Sequence, residues 1–145
     1  MAKVQPIPAG YRTLTPYLVV KDGRAQLEFI KKAFDAKVEH VSERPDGSVG
    51  HASLQVGDSK IMIGQAMAGY PAMPTAIYMY VPDCDAVYKQ ALAAGATSKV
   101  TPADQFYGDR NAGVEDMNGN QWWMATHVED VSEEELKRRA QALGK

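Results

Sequence analysis

The chain has 145 residues, enough for one domain with its own core, and its 45% apolar and 23% charged residues are ordinary for a globular protein. A formal net charge of −2 with scattered basic residues argues against a nucleic-acid partner, which needs a basic stripe to neutralise phosphates. No apolar run nears the ~20 residues that cross a bilayer, Met1 to Pro6 lacks the apolar segment of a secretory signal, and the single Cys84 allows neither an intrachain disulfide nor a thiolate zinc cluster, so the expectation is a cytoplasmic protein that avoids membranes.

Residues 1–12 read as a lead-in containing Pro and Gly. Leu14 to Val20 alternates as a strand, with Thr15, Tyr17 and Val19 on one face. Asp22 offers an N-cap for a helix from Gly23 to Phe34, whose Leu27, Ile30 and Phe34 keep helical spacing. Strands are predicted over 37–44, 49–56 and 59–64, turned by Pro45-Asp46-Gly47 and Gly57-Asp58. A loop rich in Met, Ala, Gly and Pro spans Ala66 to Pro74, where Met67 and Met73 suit a mobile connection or a flap.

The order then repeats. Ala76 to Val81 reads as a strand, Asp83 caps a helix with Cys84, Val87, Tyr88, Ala91 and Leu92 on one stripe, and Gly95 ends it. Strands are predicted near 97–101, 111–116 and 121–127, with Asn118-Gly119 as a hairpin signal. Val20-x-Asp22 matches Val81-x-Asp83, and Ile61-Met62-Ile63 matches Trp122-Trp123-Met124, both at an offset of 61, which marks a duplicated unit. Ser132 and Glu135 form a capping box for a last helix, and its run of Glu133 to Glu135 followed by Lys137 to Arg139 reads as a solvated face.

Several segments carry a resemblance: Gly50-His51-Ala52, Asp58 to Ile63, Gln105-Phe106-Tyr107-Gly108-Asp109-Arg110, and most specifically Glu115 to Asp130. On these the chain resembles the glyoxalase/bleomycin-resistance (vicinal oxygen chelate) superfamily, and within it the PhnB-like glyoxalase-like branch, which more often has Pro where Met117 stands. The resemblance implies a single α+β domain over 1–145: two tandem β-α-β-β-β modules, about 13–65 and 75–128, forming curved sheets around a cavity, plus a C-terminal helix over about 131–143. It also implies a homodimer, in keeping with the frequency of closed two-fold assemblies.

Metal-dependent members of that superfamily draw His and Glu ligands from four inward positions, which carry over to Thr15, Met62, Ala76 and Trp123. None supplies an imidazole or a carboxylate, so no cofactor and no metal are expected. Alternation places Thr15, Tyr17, His51, Ser53, Gln55, Met62, Ala76, Tyr78, Tyr80 and Trp123 on the inward face, and Leu18, Val20, Ala52, Leu54, Ile61, Ile63 and Trp122 toward helices. From these, Thr15, Tyr17, His51, Ser53, Met62, Tyr78, Tyr80 and Trp123, together with Arg110, are the candidate ligand-binding residues.

His51 reads either as a ligand contact or general base, or as a hydrogen-bonded wall residue. Arg110, oriented by Asp109, reads either as an anion or carbonyl binder or as half of a loop-locking ion pair. Tyr78, Tyr80 and Trp123 either stack on a planar ligand or fill the cavity. His40 reads as exposed, His127 as structural, and Cys84 as a packed thiol or one activated by a helix start. No phosphate loop and no Gly-x-Ser-x-Gly elbow occur. The expected function is metal-independent binding of a small molecule, sequestering a drug or a metabolite. The alternative is a lyase, isomerase or dioxygenase with a non-standard centre near His51, and a third possibility is a scaffold dimer with a vestigial cavity.

Overall fold

The computed structural model describes residues 3–145; Met1 and Ala2 of the lead-in lie outside the described residues. The chain divides into two compact units, one ending at Thr75 and including Met117–Gly119, the other formed by Ala76–Asp116 and Asn120–Lys145.

The first unit holds β1 (Tyr17–Val20), α1 (Gly23–Phe34), β2 (Lys37–Glu43), β3 (Val49–Val56) and β4 (Ser59–Gln65). The second holds β5 (Ala76–Tyr80), α2 (Cys84–Ala93), β6 (Thr97–Asp104), β7 (Asp109–Glu115), β8 (Gln121–His127) and α3 (Glu133–Ala142). Each unit has one four-stranded mixed sheet, ordered β1-β4-β3-β2 and β5-β8-β7-β6. The first strand of each pairs in parallel with the last, and the other pairs are antiparallel. The architecture is the expected α+β one, with two β-α-β-β-β modules and a C-terminal helix.

The duplication is visible in the registers. Tyr17 faces Met62 in one sheet, and Tyr78 faces Trp123 in the other, an offset of 61. On the middle strands the offset is 60: Ser53 faces Met62, and Gly113 faces Trp123. The residue is recovered in the longer loop between β7 and β8. Asp116 holds that loop, its carboxylate accepting the Asn120 amide at 3.0 Å and the Trp122 indole N–H at 2.8 Å.

Local chemistry sets the element ends. Asp22 and Asp83 each accept a backbone N–H three residues on, at 3.0 and 3.1 Å, and so cap α1 and α2 as expected. Ser132 caps α3 by accepting from the Glu135 amide. Gly95 ends α2 with φ 112°, whereas α1 ends on Asp35 at φ 52°, one of the few non-glycine types that visit this region readily. β1 starts at Tyr17, not Leu14, because Pro16 has no N–H to pair; its carbonyl accepts from Met62 instead. β6 runs through Pro102, which the edge position of this strand tolerates.

Each sheet buries one face under its own helix. In the first unit Leu18, Val20, Ala52, Leu54, Ile61 and Ile63 pack with Leu27, Phe29, Ile30 and Ala33 of α1. In the second, Ala112, Val114, Trp122 and Met124 pack with Cys84 and Ala91 of α2. Burying each large side chain contributes about 1.5–3 kcal/mol, so the helix side of each sheet dominates stability. Cys84 belongs to this layer, and burial pushes its thiol pKa up, which makes it a packed thiol and not an activated one. The opposite face of each sheet carries the polar and aromatic residues.

Candidate functional site

On the first sheet's open face the register aligns Tyr17, Met62, Ser53 and His40 in one row. His51 lies in the next row beside Gly64, with the rings of Tyr17 and His40 at 5.9 and 6.2 Å. Tyr17 covers Gly64 so closely that a Cβ there would stand 2.5 Å from its hydroxyl oxygen. The expected alternation holds on β3: Ala52 and Leu54 are fully buried, and His51 and Ser53 take the other face. Thr15 is a correction, since it precedes the strand that Pro16 delays.

The second sheet's open face is richer. Tyr78, Trp123, Gly113 and Val100 form one row. A Cβ on Gly113 would lie 2.7, 2.8 and 2.9 Å from three consecutive atoms of the Trp123 six-membered ring (Cζ3, Cε3 and Cη2). Such nearly equal distances put the ring face flat on the glycine; approach along the ring edge would make the outer two much longer. Glycine is therefore what lets the indole lie down. Tyr78, Val100, Gln105, Tyr107, Asn111 and Trp123 line a depression of about 420 Å³, within the usual range for small-molecule sites.

A hydrogen-bond network fixes this wall. Asp109 is only 3% exposed. Its Oδ2 accepts from the Tyr78 hydroxyl at 2.8 Å and the Tyr80 hydroxyl at 3.0 Å. Its Oδ1 lies 2.9 Å from His127 Nδ1, and His127 Nε2 lies 2.8 Å from Asp130 Oδ1. Both bonds can form together only when the ring carries two N–H groups, that is, as imidazolium. Asn111 Nδ2 donates to the Tyr107 hydroxyl at 2.7 Å and to the Tyr78 hydroxyl at 3.3 Å.

The titration behaviour follows. Burial opposes charge on Asp109, but the bonds from His127, Tyr78 and Tyr80 together outweigh it and hold its pKa below the usual carboxylate value. Hydrogen bonds to Asp109 and then Asp130 raise the His127 pKa. Burial, then the proximity of Asp109, raises that of Tyr78; for Tyr80 the bond to Asp109 comes first. Both tyrosines are neutral donors near neutral pH.

Arg110 is the second correction. Asp109 and Arg110 are both on β7, not in a loop before it, and neighbours on a strand point to opposite faces. Arg110 therefore turns to the helix side, where its guanidinium makes two bonds to Asp85 of α2, at 2.8 and 3.0 Å, and a third to Asp104. The ion-pair alternative describes it, with different partners. The sequence reasoning misses Asn111, Tyr107 and Gln105 as lining residues and gives Asp109 another role, orienting Arg110; it reads His127 as structural, without identifying Asp109 as its partner. Strand parity was the available signal, because His127 shares a face with Trp123 and Ala125.

The metal centre that the resemblance implies for metal-dependent relatives does not fit these residues. Thr15 and Met62 in the first unit, and Ala76 and Trp123 in the second, offer a hydroxyl, a thioether, a methyl and an indole. Among the described residues no group of three or more His, Cys, Asp or Glu is placed to hold an ion. Asp109, His127 and Asp130 are engaged with one another.

Comparison with known proteins agrees with this architecture. The profile of the Glyoxalase/Bleomycin resistance protein/Dioxygenase superfamily matches residues 12–124. An uncharacterized protein of Mycobacterium bovis is 33% identical over 142 residues, 90% of this chain and 93% of the relative. Among solved structures, TioX from Micromonospora sp. ML1 superposes with a TM-score of 0.69 at 20% identity, covering 81% of this chain and 99% of that one. A glyoxalase/bleomycin resistance protein/dioxygenase from Nocardioides gives a TM-score of 0.63 at 20% identity, covering 84% and 87%.

Proposed function

Because the chain belongs to the glyoxalase/bleomycin resistance protein/dioxygenase superfamily, we propose that it binds a small planar organic molecule without a metal, on the aromatic open face of its second module. One observation carries the reading: the depression lined by Tyr78, Tyr107 and Trp123, whose floor is an indole laid flat on Gly113. A flat ring exposes one whole face for stacking. Asn111 fixes Tyr107 by donating to its oxygen, so the Tyr107 proton is left to donate to a ligand acceptor. Tyr80 takes part as a holder of Asp109, and Tyr17, His51, Ser53 and Met62 are proposed contacts on the first sheet's own open face. Sequestration of a drug or metabolite suits a site built from stacking surfaces and hydrogen-bond donors.

The test is a thermal-shift screen of planar aromatic compounds. A ligand at a hundred times its Kd stabilises the fold by about 2.7 kcal/mol. Trp123→Ala is expected to abolish the shift; a variant that binds the same compound equally well refutes the site. We also propose that the chain sits with the PhnB-like branch, on its Glu115 to Asp130 segment, and that it acts as a cytoplasmic homodimer. A monomer mass by light scattering at high concentration refutes the dimer.

A further inference from the structure

We infer that the second module's depression selects a cation, either an organic ammonium or a planar heteroaromatic cation, held over the rings of Tyr78, Tyr107 and Trp123. The inference rests on the reading of this depression as a ligand site. Three of its six lining residues are aromatic, and the other three, Val100, Gln105 and Asn111, are uncharged. An anion would meet no positive side chain in this lining, whereas a cation meets three electron-rich rings. The ring quadrupole attracts cations, most strongly for Trp. With one indole face lying on Gly113, the opposite face is the one offered.

The surroundings reinforce this preference. Tyr78 donates its hydroxyl proton to the buried Asp109 carboxylate, which moves electron density into the phenol ring and strengthens its attraction for positive charge. The Asp109–His127–Asp130 group, with His127 as imidazolium, holds two negative charges against one positive. Arg110 is turned to Asp85 and Asp104 on the other side of the sheet. Lys99 lies 3.6 Å from Glu115, which cancels most of its field. Asn111 spends its Nδ2 hydrogens on the Tyr107 and Tyr78 hydroxyls, leaving its carbonyl oxygen to accept from an N–H⁺ donor.

Three shape-matched probes test the inference on the full chain by calorimetric titration near neutral pH: N-methylphenanthridinium, neutral phenanthridine and phenanthrene-9-carboxylate. The expected result is that the cation binds about tenfold or more tighter than phenanthridine, with the carboxylate weakest. Tyr78→Phe should narrow the gap several-fold. The three-probe comparison on the parent chain keeps the inference testable if Tyr78→Phe folds poorly. Equal affinity for the three probes, or preference for the carboxylate, overturns the charge selectivity and leaves the aromatic site standing. Failure of all three to bind the folded chain overturns both.

Discussion

Gly113→Ala tests the geometry of the floor directly. Gly113 is ordinary extended backbone in β7, outside the left-handed region, so alanine brings no backbone strain of its own. Its Cβ would stand 2.7–2.9 Å from the Trp123 ring, where carbon–carbon contacts normally sit at about 3.5–4.0 Å. The indole must therefore rise by roughly 1 Å, and overpacking of this kind costs about 1–3 kcal/mol. Replacing a strand glycine returns about 0.5–1 kcal/mol of backbone entropy. The net expectation is a loss of about 0–2.5 kcal/mol in urea denaturation. In a Trp123→Ala background the obstacle is gone, and the same change should be neutral or stabilising by up to about 0.5–1 kcal/mol. The double-mutant cycle should thus give a coupling of about 1–3 kcal/mol. Additivity within about 0.5 kcal/mol would refute a ring lying on Gly113, and with it the floor of the proposed site.

Three further perturbations probe the supports of the wall. Asp116→Ala strips the partner from the buried Trp122 indole N–H and from the Asn120 amide; a loss of about 2–4 kcal/mol is expected by urea denaturation, and less than about 1 kcal/mol would mean that the loop finds other acceptors. Arg139→Ala removes a bond to the Phe106 carbonyl and two to Glu129; faster amide hydrogen exchange over 105–108 and in α3 is expected, and unchanged exchange there would show that α3 does not brace the Tyr107 turn. His127 has a folded pKa raised above 6.5, so its contribution is fully present below the unfolded value and is lost as pH rises through the folded one. Urea midpoints should fall over that range for the parent chain and stay flatter for His127→Gln, and identical pH profiles would count against the paired imidazolium.

Much of the architecture was legible because period-two alternation and capping chemistry are local. Ala52 and Leu54 alternate with His51 and Ser53, and the structure buries the first pair completely. Asp22, Asp83 and Ser132 announced three helix starts, and each makes the capping bond. The site was less legible because it depends on strand parity at an end. Starting β7 at residue 111 leaves Asp109 and Arg110 as loop neighbours able to work together. Starting it at Asp109 puts them on opposite faces. The contact of Asp109 with His127 needs the register in which these two residues pair, and that register depends on a loop one residue longer than its counterpart. Tyr107 reaches the site from a turn, where no periodicity operates.

The two modules share registers, so what separates them chemically is their side chains. Where the first has Met62 opposite Ser53, the second has Trp123 opposite Gly113. The larger side chain comes with the smaller neighbour, and each exchange makes sense only with the other: tryptophan over serine would meet the Cβ that glycine lacks. His51 corresponds to Asn111, both paired to equivalent residues of the last strand, Gly64 and Ala125. Two residues earlier, the first module has a fully buried Val49 and the second has Asp109. Burying a carboxylate is unfavourable unless donors surround it, and Tyr78, Tyr80 and His127 supply them. The corresponding β1 positions are Tyr17 and Val19, so one of the two phenols is missing there. The carboxylate, its donors and the flat indole form a set confined to the second module, and a ligand that requires that set will distinguish the two sheets although their backbones repeat.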